Sequence, residues 1–529
     1  MNVMKILKKL GPVFFFLFCA LMLFFSLRGL PGNPTSKDLN DLSWKDNGPL
    51  ELSPERGRYA LLYSIVEDHS FTFSTDIARF TAPDVAYTPD KRYVSLFAPS
   101  LSFLVIPGYL IGKHFGVAQV GAFAMVALFA LLNTILIRAI AVRLGANSLA
   151  ATLASFTFLF ATPAFTYAVT LYQHHISTFL ILLAVYLLIR FNTIASLAAI
   201  WFLCAFSITV DYPNLFMMLP IGLVALVRTF LVEKHEHFVT MKAPLLRILA
   251  LGGMIIPLAF FLWFNAVSYH NPLTISGTLE RAVEIKPDGT PLFEKDVLKK
   301  LQGEVIEPIV IDSSLMNAFK NRNAINGMYT LFISPDRGII YYTPIMLFGI
   351  LGLVLALQKK QKYAGLLVAI FGFNVLVYSM WGDAYGGWAF GARYLIPSYA
   401  ILSIFIAFVL TYYKRSFFIS ILFFVVLAYS LFINTAGAIT SSKNPPKVEI
   451  AALEKQTHTV QEDNYMRNIH FLDKGNSKSF IFHTYARNYV SAWTYYSYLM
   501  IFLISVPIFI LVYYRMLSVP RKRKEQHAV

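Results

Sequence analysis

The amino-acid sequence predicts an all-α polytopic membrane protein, and three observations carry that prediction. Of 529 residues, 57% are hydrophobic and only 14% are charged, where a soluble chain carries roughly 25% charged residues. Mean hydropathy is +0.59. Several near-continuous apolar windows reach the ~18 residues or more that a crossing of the hydrocarbon core requires. The 47 Phe and 29 Tyr suit lipid-facing surfaces and interfacial aromatic belts.

The first element is N-terminal. Lys5, Lys8 and Lys9 precede an apolar run to Leu27. It has no small-x-small cleavage site, and Phe18 is too bulky to precede a lipoprotein cysteine at Cys19. The run therefore reads as an uncleaved spanning helix. Counting it, apolar segments occupy approximately 10–28, 97–113, 118–141, 147–165, 176–190, 194–210, 213–231, 246–268, 339–358, 363–381, 394–412, 416–437 and 492–514.

Charge orients these segments. With Lys5, Lys8 and Lys9 inside, by the positive-inside rule, crossing at every segment would place Arg138/Arg143, Arg228–Arg247, Lys359/Lys360/Lys362 and Lys414/Arg415 outside. If 97–113 does not cross, all of those clusters become cytoplasmic, together with Arg515 and Arg521-Lys522-Arg523-Lys524. That segment is short and interrupted by Pro99, Pro107-Gly108 and Gly112, as expected of a juxtamembrane or re-entrant helix. The expectation is about twelve transmembrane helices, both termini cytoplasmic (N-in, C-in), with juxtamembrane helices against the outer face.

Three long outer loops follow, at 29–96, 269–338 and 438–491. In the first, Pro54 suits a first helical turn. Tyr59, Leu62, Tyr63 and Val66 then recur at helical spacing, predicting an amphipathic surface helix. The second, with Glu280, Glu284, Glu294, Asp296, Lys299 and Lys300, reads as a small mixed-charge insertion. The third opens on Asn444-Pro445-Pro446. Neither of these two reads as a complete domain, although together they are expected to be able to pack as a cap.

Several function classes lose support. The net charge of +16 sits in short connectors and at the chain ends, and no basic stripe with interleaved aromatics marks a nucleic-acid surface. Cys19 and Cys204 both lie in apolar segments, so no disulfide framework is expected. Phosphate-loop, serine-hydrolase and zinc-protease motifs are missing.

With the orientation set, unusual polar groups gather at one membrane–water boundary. They are Glu55-Arg56, Arg58, Tyr172-Gln173-His174-His175, Asp211-Tyr212-Pro213-Asn214, Ser334-Pro335-Asp336-Arg337-Gly338, and the turn from Trp381 and Asp383 to Arg393-Tyr394. Arginine suits phosphate because its planar fork is permanently charged. A carboxylate beside it can act as general base toward a hydroxyl. Each residue also has a plainer reading. Glu55 can serve the helix N-terminus, Asp211 can cap the next helix, His174 and His175 can be interfacial, and Arg393 can snorkel.

These residues resemble the GT-C membrane glycosyltransferases, which use polyprenyl-phosphate-linked sugars. The likeness is to the family 39/83-type enzymes, including protein O-mannosyltransferases and the aminoarabinose transferases of lipid A. It rests on Pro54-Glu55-Arg56-Gly57-Arg58-Tyr59-Ala60, followed by a juxtamembrane segment from Phe97 to Phe115-Gly116. A subset of bacterial and archaeal members also carries patterns legible here at Tyr172/His174, Asp211–Pro213, Ser334–Gly338 and Gly386–Pro397. Two departures stand out. Glu55 takes the place of the family's usual Asp, with Arg56 where a second acid is common. The acid many members carry near Tyr167-Ala168-Val169 is replaced by Tyr172-Gln173-His174-His175.

The resemblance implies a GT-C-like region over 1–437, an outer loop over 438–491, and a last helix with basic tail over 492–529. It implies one inverting displacement at the anomeric carbon, with Glu55 as catalytic base. Arg58, Arg337 and Arg393 are then candidates to neutralise the departing lipid phosphate, and His174 either contacts phosphate or orients the acceptor. Tyr172, Asp211, Asp383 and Tyr394 complete the expected substrate-binding set. The partners implied are a lipid-linked sugar donor, an acceptor glycan, lipid or protein, and the membrane. No cofactor is predicted; a divalent metal is compatible with Glu55, His174 and Asp211, but their spacing predicts none. The alternatives are a transporter or flippase of a lipid-linked glycan and a non-catalytic scaffold. The former should show charge in mid-helix and paired broken helices, which the sequence lacks.

Overall fold

The computed structural model describes residues 3–45, 47–230, 232–234, 239–241, 244–293 and 323–518. Glu294, Asp296, Lys299 and Lys300 of the second outer loop, and Arg521 to Lys524 of the tail, lie outside the described residues.

Among the described residues, five helical stretches are by length and composition long and apolar enough to cross a membrane: Ala118–Arg143, Leu245–Tyr269, Arg393–Tyr412, Phe417–Ile439 and Ala492–Ile510. Shorter apolar helices span Gly11–Ser26, Ser148–Phe160, His174–Arg190, Ile194–Val210, Asn214–Thr229, Met346–Gln358 and Ala364–Ser379. Every apolar segment in the sequence other than 97–113 coincides with one of these. Of an 18-residue apolar stretch in Arg393–Tyr412, 83% is buried, and this helix runs through the middle of the bundle, whereas the share in Leu245–Tyr269 is 11% and that helix lies at the periphery.

The interrupted segment 97–113 forms two short helices, Ser100–Leu104 and Ile106–His114. At 1.5 Å per residue the longer spans about 14 Å, less than half of a bilayer core. Its glycines do more than break the helix. A Cβ on Gly108 would lie 2.3 Å from the Gly121 carbonyl oxygen, so the absent side chains let this helix lie directly on Ala118–Arg143.

The connectors sort to opposite ends of the bundle. At one end Arg228 donates to the Tyr363 hydroxyl (3.2 Å) and the Asn147 N–H to Thr411 (2.9 Å). Arg247 donates to the Arg228 carbonyl at 2.7 Å. At the other end gather the connectors around Tyr172, Asp211, Arg337 and Gly386 with the outer loops.

Two expectations need correction. The fold is not purely α-helical: the first and second loops share a five-stranded antiparallel sheet, in the order Thr72–Phe73, Tyr93–Ser95, Val85–Tyr87, Glu280–Ile285, Pro291–Phe293. Val85 pairs with Ala282 and Tyr87 with Glu280. A further strand pair joins Val232–Lys234 to Val239–Met241. Strands of two to six residues are too short for a period of two to stand out in sequence. The second loop thus joins the first. The third attaches elsewhere: the Lys478 N–H donates to the Ile439 carbonyl (2.7 Å), and the Phe480 N–H to that of Leu27 (2.8 Å).

The second correction concerns Ser53–Val66, which forms the expected helix but not an amphipathic surface one. Every residue from Glu55 to Ser64 is buried. The helix is enclosed by the Thr75–Thr81 helix, the sheet and the juxtamembrane pair. Its C-terminal end meets solvent, where Lys113 pairs with Glu67 at 2.7 Å.

Candidate active site

Pro54, in the first turn, starts the Ser53–Val66 helix so that Glu55 falls at its N-terminal end. One carboxylate oxygen, Oε2, accepts from the Leu52 backbone N–H at 3.1 Å, the return half of a capping box. The other, Oε1, is buried without a protein partner. Glu55 is therefore half structural and half uncommitted. Burial pushes its carboxyl up to about 7, and the negative charge of Glu51 adds to the rise; Arg28, the Leu52 N–H and Arg393 oppose it.

One turn further, Arg58 anchors Nη1 on the Pro54 carbonyl at 2.8 Å. Its guanidinium stands over the rings of Phe97 (4.6 Å) and Tyr172 (5.8 Å). Arg393 enters from the mouth of the central helix, with its guanidinium 5.1 Å from the Tyr172 ring centre and Nη2 donating to the Gly386 carbonyl at 2.6 Å. Gly386 takes φ +74°, and a Cβ there would meet the Tyr394 ring at 3.1 Å and Arg393 Nε at 3.3 Å. Glycine is what lets this turn close on Arg393.

His174 stacks on Tyr172 (5.7 Å between centroids, 9°), stands edge-on to Tyr167 at 5.4 Å and faces Tyr394 at 6.3 Å. Asp211 does not cap the following helix with its side chain. It accepts from Gln173 Nε2 at 3.0 Å and acts electrostatically on Arg58.

Glu55, Arg58, Tyr172, His174, Asp211, Arg393 and Tyr394 thus come together, as their common sidedness in sequence led one to expect. The atoms left over are informative. Glu55 Oε1, Arg58 Nε, Tyr172 Oη, Gln173 Oε1, His174 Nε2, and Arg393 Nε and Nη1 are all buried without a protein partner. Each such atom costs about 1–3 kcal/mol. A fold that collects seven of them in one place has the donor and acceptor set of a ligand site.

Other expected residues lie apart. Arg337 is fully buried, and each of its nitrogens is engaged: Nε on Tyr385 O (3.0 Å), Nη1 on Asp336 O (2.6 Å), Nη2 on Gly387 O (3.0 Å) and Asn444 O (2.9 Å). It fixes the glycine turn and leaves no fork open to phosphate. Asp383 is exposed and accepts from the Gly387 N–H at 2.6 Å, closing its own turn. His175 donates to the Ala164 carbonyl (2.7 Å) and packs on Phe158, a structural role. Arg56 holds the carbonyls of Leu50 and Glu51.

Sequence reasoning missed a second buried acid, Glu51. Its carboxylate takes Arg28 Nη1 (3.0 Å), Lys478 Nζ (3.2 Å), the hydroxyls of Ser441 and Ser442 (both 2.8 Å) and the Ser442 N–H (2.6 Å). Burial would raise this carboxyl, but Lys478 and Arg28, with the Ser442 N–H, hold it down at about 2. Arg28 in turn donates to the carbonyls of Gly437 (2.6 Å) and Ala438 (2.9 Å). The one available signal was a charged residue, Glu51, four positions before Glu55. Among the described residues, no three His, Cys, Asp or Glu side chains group to hold a metal ion.

No protein-family model matches the chain, and no curated protein matches it by sequence. Two kinds of solved structure do. One is an archaeal oligosaccharyltransferase, AglB from Archaeoglobus fulgidus, solved with an inhibitory peptide and a dolichol-phosphate: 14% identity, TM-score 0.45, 86% of this chain covered. The chain spans 59% of that protein's length. The other is ArnT from Cupriavidus metallidurans bound to undecaprenyl phosphate: 13% identity, TM-score 0.43, with 94% of this chain and 77% of that chain covered. The chain is similar to both over most of its own length. At these identities and TM-scores, the chemistry proposed below rests on the residues of this chain.

Proposed function

We propose that the protein is an integral membrane glycosyltransferase that moves a sugar from a polyprenyl-phosphate-linked donor to the hydroxyl of an extracytoplasmic acceptor, with inversion. The observation that carries this reading is the buried set of unpartnered atoms, one carboxylate oxygen beside two guanidinium groups and an imidazole. In the step it supports, Glu55 Oε1 takes the proton from the acceptor hydroxyl. The acceptor oxygen bonds to the anomeric carbon, and the bond from that carbon to the phosphate oxygen breaks with its electron pair. Arg393 and Arg58 stabilise the charge that grows on the departing phosphate. Tyr172 and His174 orient it. A carboxyl near 7 suits a base at neutral pH.

The same reading includes twelve crossings, cytoplasmic termini, and a site at the outer surface of a cell membrane. The grouping of basic connectors at the end of the bundle opposite the site supports it. Cysteine labelling tests the orientation: residues 114 and 145 should react from opposite sides, and labelling of both from one side overturns it.

The functional test is transfer from polyprenyl-phosphate sugars by purified protein. Glu55→Gln should lower turnover by about 100-fold or more, the scale of a lost general base, with the thermal transition retained. Unchanged turnover in a folded Glu55→Gln protein defeats the proposal.

A further inference from the structure

A second cavity, of about 410 Å³, opens between the end of the first helix, the first outer loop and the third. It lies outside the cluster around Arg393, yet Glu51 belongs to its wall, and Glu51 acts electrostatically on Glu55. Its volume falls in the range of small-molecule sites.

The lining has a definite chemistry. Lys443, Arg467 and Lys478 share the wall with one carboxylate, Glu51, which Arg28 and Lys478 already neutralise; Glu462, outside the wall, acts on Arg467. Lys478 is fixed by that pair and by the carbonyls of Asn47 and Gly48 at 3.0 Å. Arg467 is held by Gln461 at 3.1 Å and stands 5.9 Å from the Trp388 ring centre. The positive balance is thus built onto anchored groups, not onto loose surface side chains. Phe471 supplies one apolar wall and Asn476 an amide. An aromatic face beside amides and cations matches a sugar ring that carries an oxyanion.

We propose that this cavity is a binding site for an anionic saccharide, phosphorylated or carboxylated. The inference goes beyond the transferase reading, to which Glu51 alone links it through its charge beside Glu55.

Binding to the full chain in detergent tests it, with glucose 6-phosphate and glucuronate as probes, glucose as the neutral control and inorganic phosphate as the bare anion. At least one anionic sugar should bind about tenfold or more tightly than glucose, the worth of one charge-assisted hydrogen bond. Preference for the phosphate or for the carboxylate identifies the source of the anion, and either supports the site. Arg467→Gln and Lys443→Gln should each weaken anionic-sugar binding by about tenfold without moving the glucose value, and Arg467→Lys should recover part of the loss. Glucose binding as tightly as both anionic sugars, inorganic phosphate matching them, or folded variants that bind like wild type would overturn the proposal. Transfer activity with charge-blind binding defeats this inference alone. Charge-selective binding without transfer from any polyprenyl-phosphate sugar defeats the transferase reading instead.

Discussion

The burial of Glu55 should be measurable as a pH-dependent stability difference. Its side chain has no exposed surface, and its carboxyl is pushed from 4.5 up to about 7, a displacement worth ~3 kcal/mol at about 1.4 kcal/mol per pH unit. Below pH 4.5 the group is protonated in both folded and unfolded chains. Between 4.5 and 7 the unfolded chain releases its proton while the folded one keeps it, so stability falls as pH rises, and it levels off above 7. An amide at this position cannot ionise. Glu55→Gln should therefore gain on wild type as pH rises from 4.5 to 7, by up to ~3 kcal/mol, and hold that gain at higher pH. Paired thermal melts in one detergent from about pH 5 to 8.5 read this as a widening gap of a few °C. If Glu55 is the base proposed above, transfer by wild type should rise about tenfold per pH unit below 7 and then plateau. A gap between the two proteins that stays constant with pH, or an acid limb centred near 4.5, would refute the reasoning.

Other perturbations separate structure from chemistry. Glu51→Gln leaves Arg28 buried, and Lys478 partly buried, without their carboxylate and should cost about 3–5 kcal/mol in thermal stability; it also removes a like charge from Glu55, so the acid limb of the rate should move to lower pH. Arg393→Lys keeps the charge but loses the fork and should lower kcat/KM by about 100-fold, measured with a polyprenyl-phosphate sugar. Gly386→Ala forces an L-residue to φ +74° against the Tyr394 ring and should cost about 1–3 kcal/mol, read by melting. Glu67→Gln removes a partly exposed pair with Lys113 and should change stability by less than ~1 kcal/mol, with transfer unaffected.

Much of the site was legible because its residues break the local grammar of a membrane chain. An acid after Pro54, a histidine pair at a helix start and an arginine after a glycine-rich turn stand out where apolar residues are the rule. The interruption of segment 97–113 was legible from its prolines and glycines. Arg28 and Lys478 were not: each looks like an ordinary cation beside an apolar run, and their common partner is far away in the chain from one of them. Glu51 gave no periodic signal, since it precedes the helix. Arg337 was legible as unusual, but nothing in its motif says that backbone carbonyls engage each of its nitrogens. The short strands of the outer sheet carry too few residues for alternation to show.

The clamp on Glu51 also has a consequence for biosynthesis. Glu51 and Arg28 are made early, whereas Gly437, Ser441, Ser442 and Lys478, which complete their coordination, emerge about 390–430 residues later. At translation rates of about 5–20 residues per second, that is about 20–90 s. Throughout this interval the two charges have only each other and water, while the intervening helices enter the bilayer. The base at Glu55 can acquire its final electrostatic setting only after the last outer loop has folded back on the first helix. On the proposed transferase reading, a chain cut before Gly437 would lack that setting and be inactive.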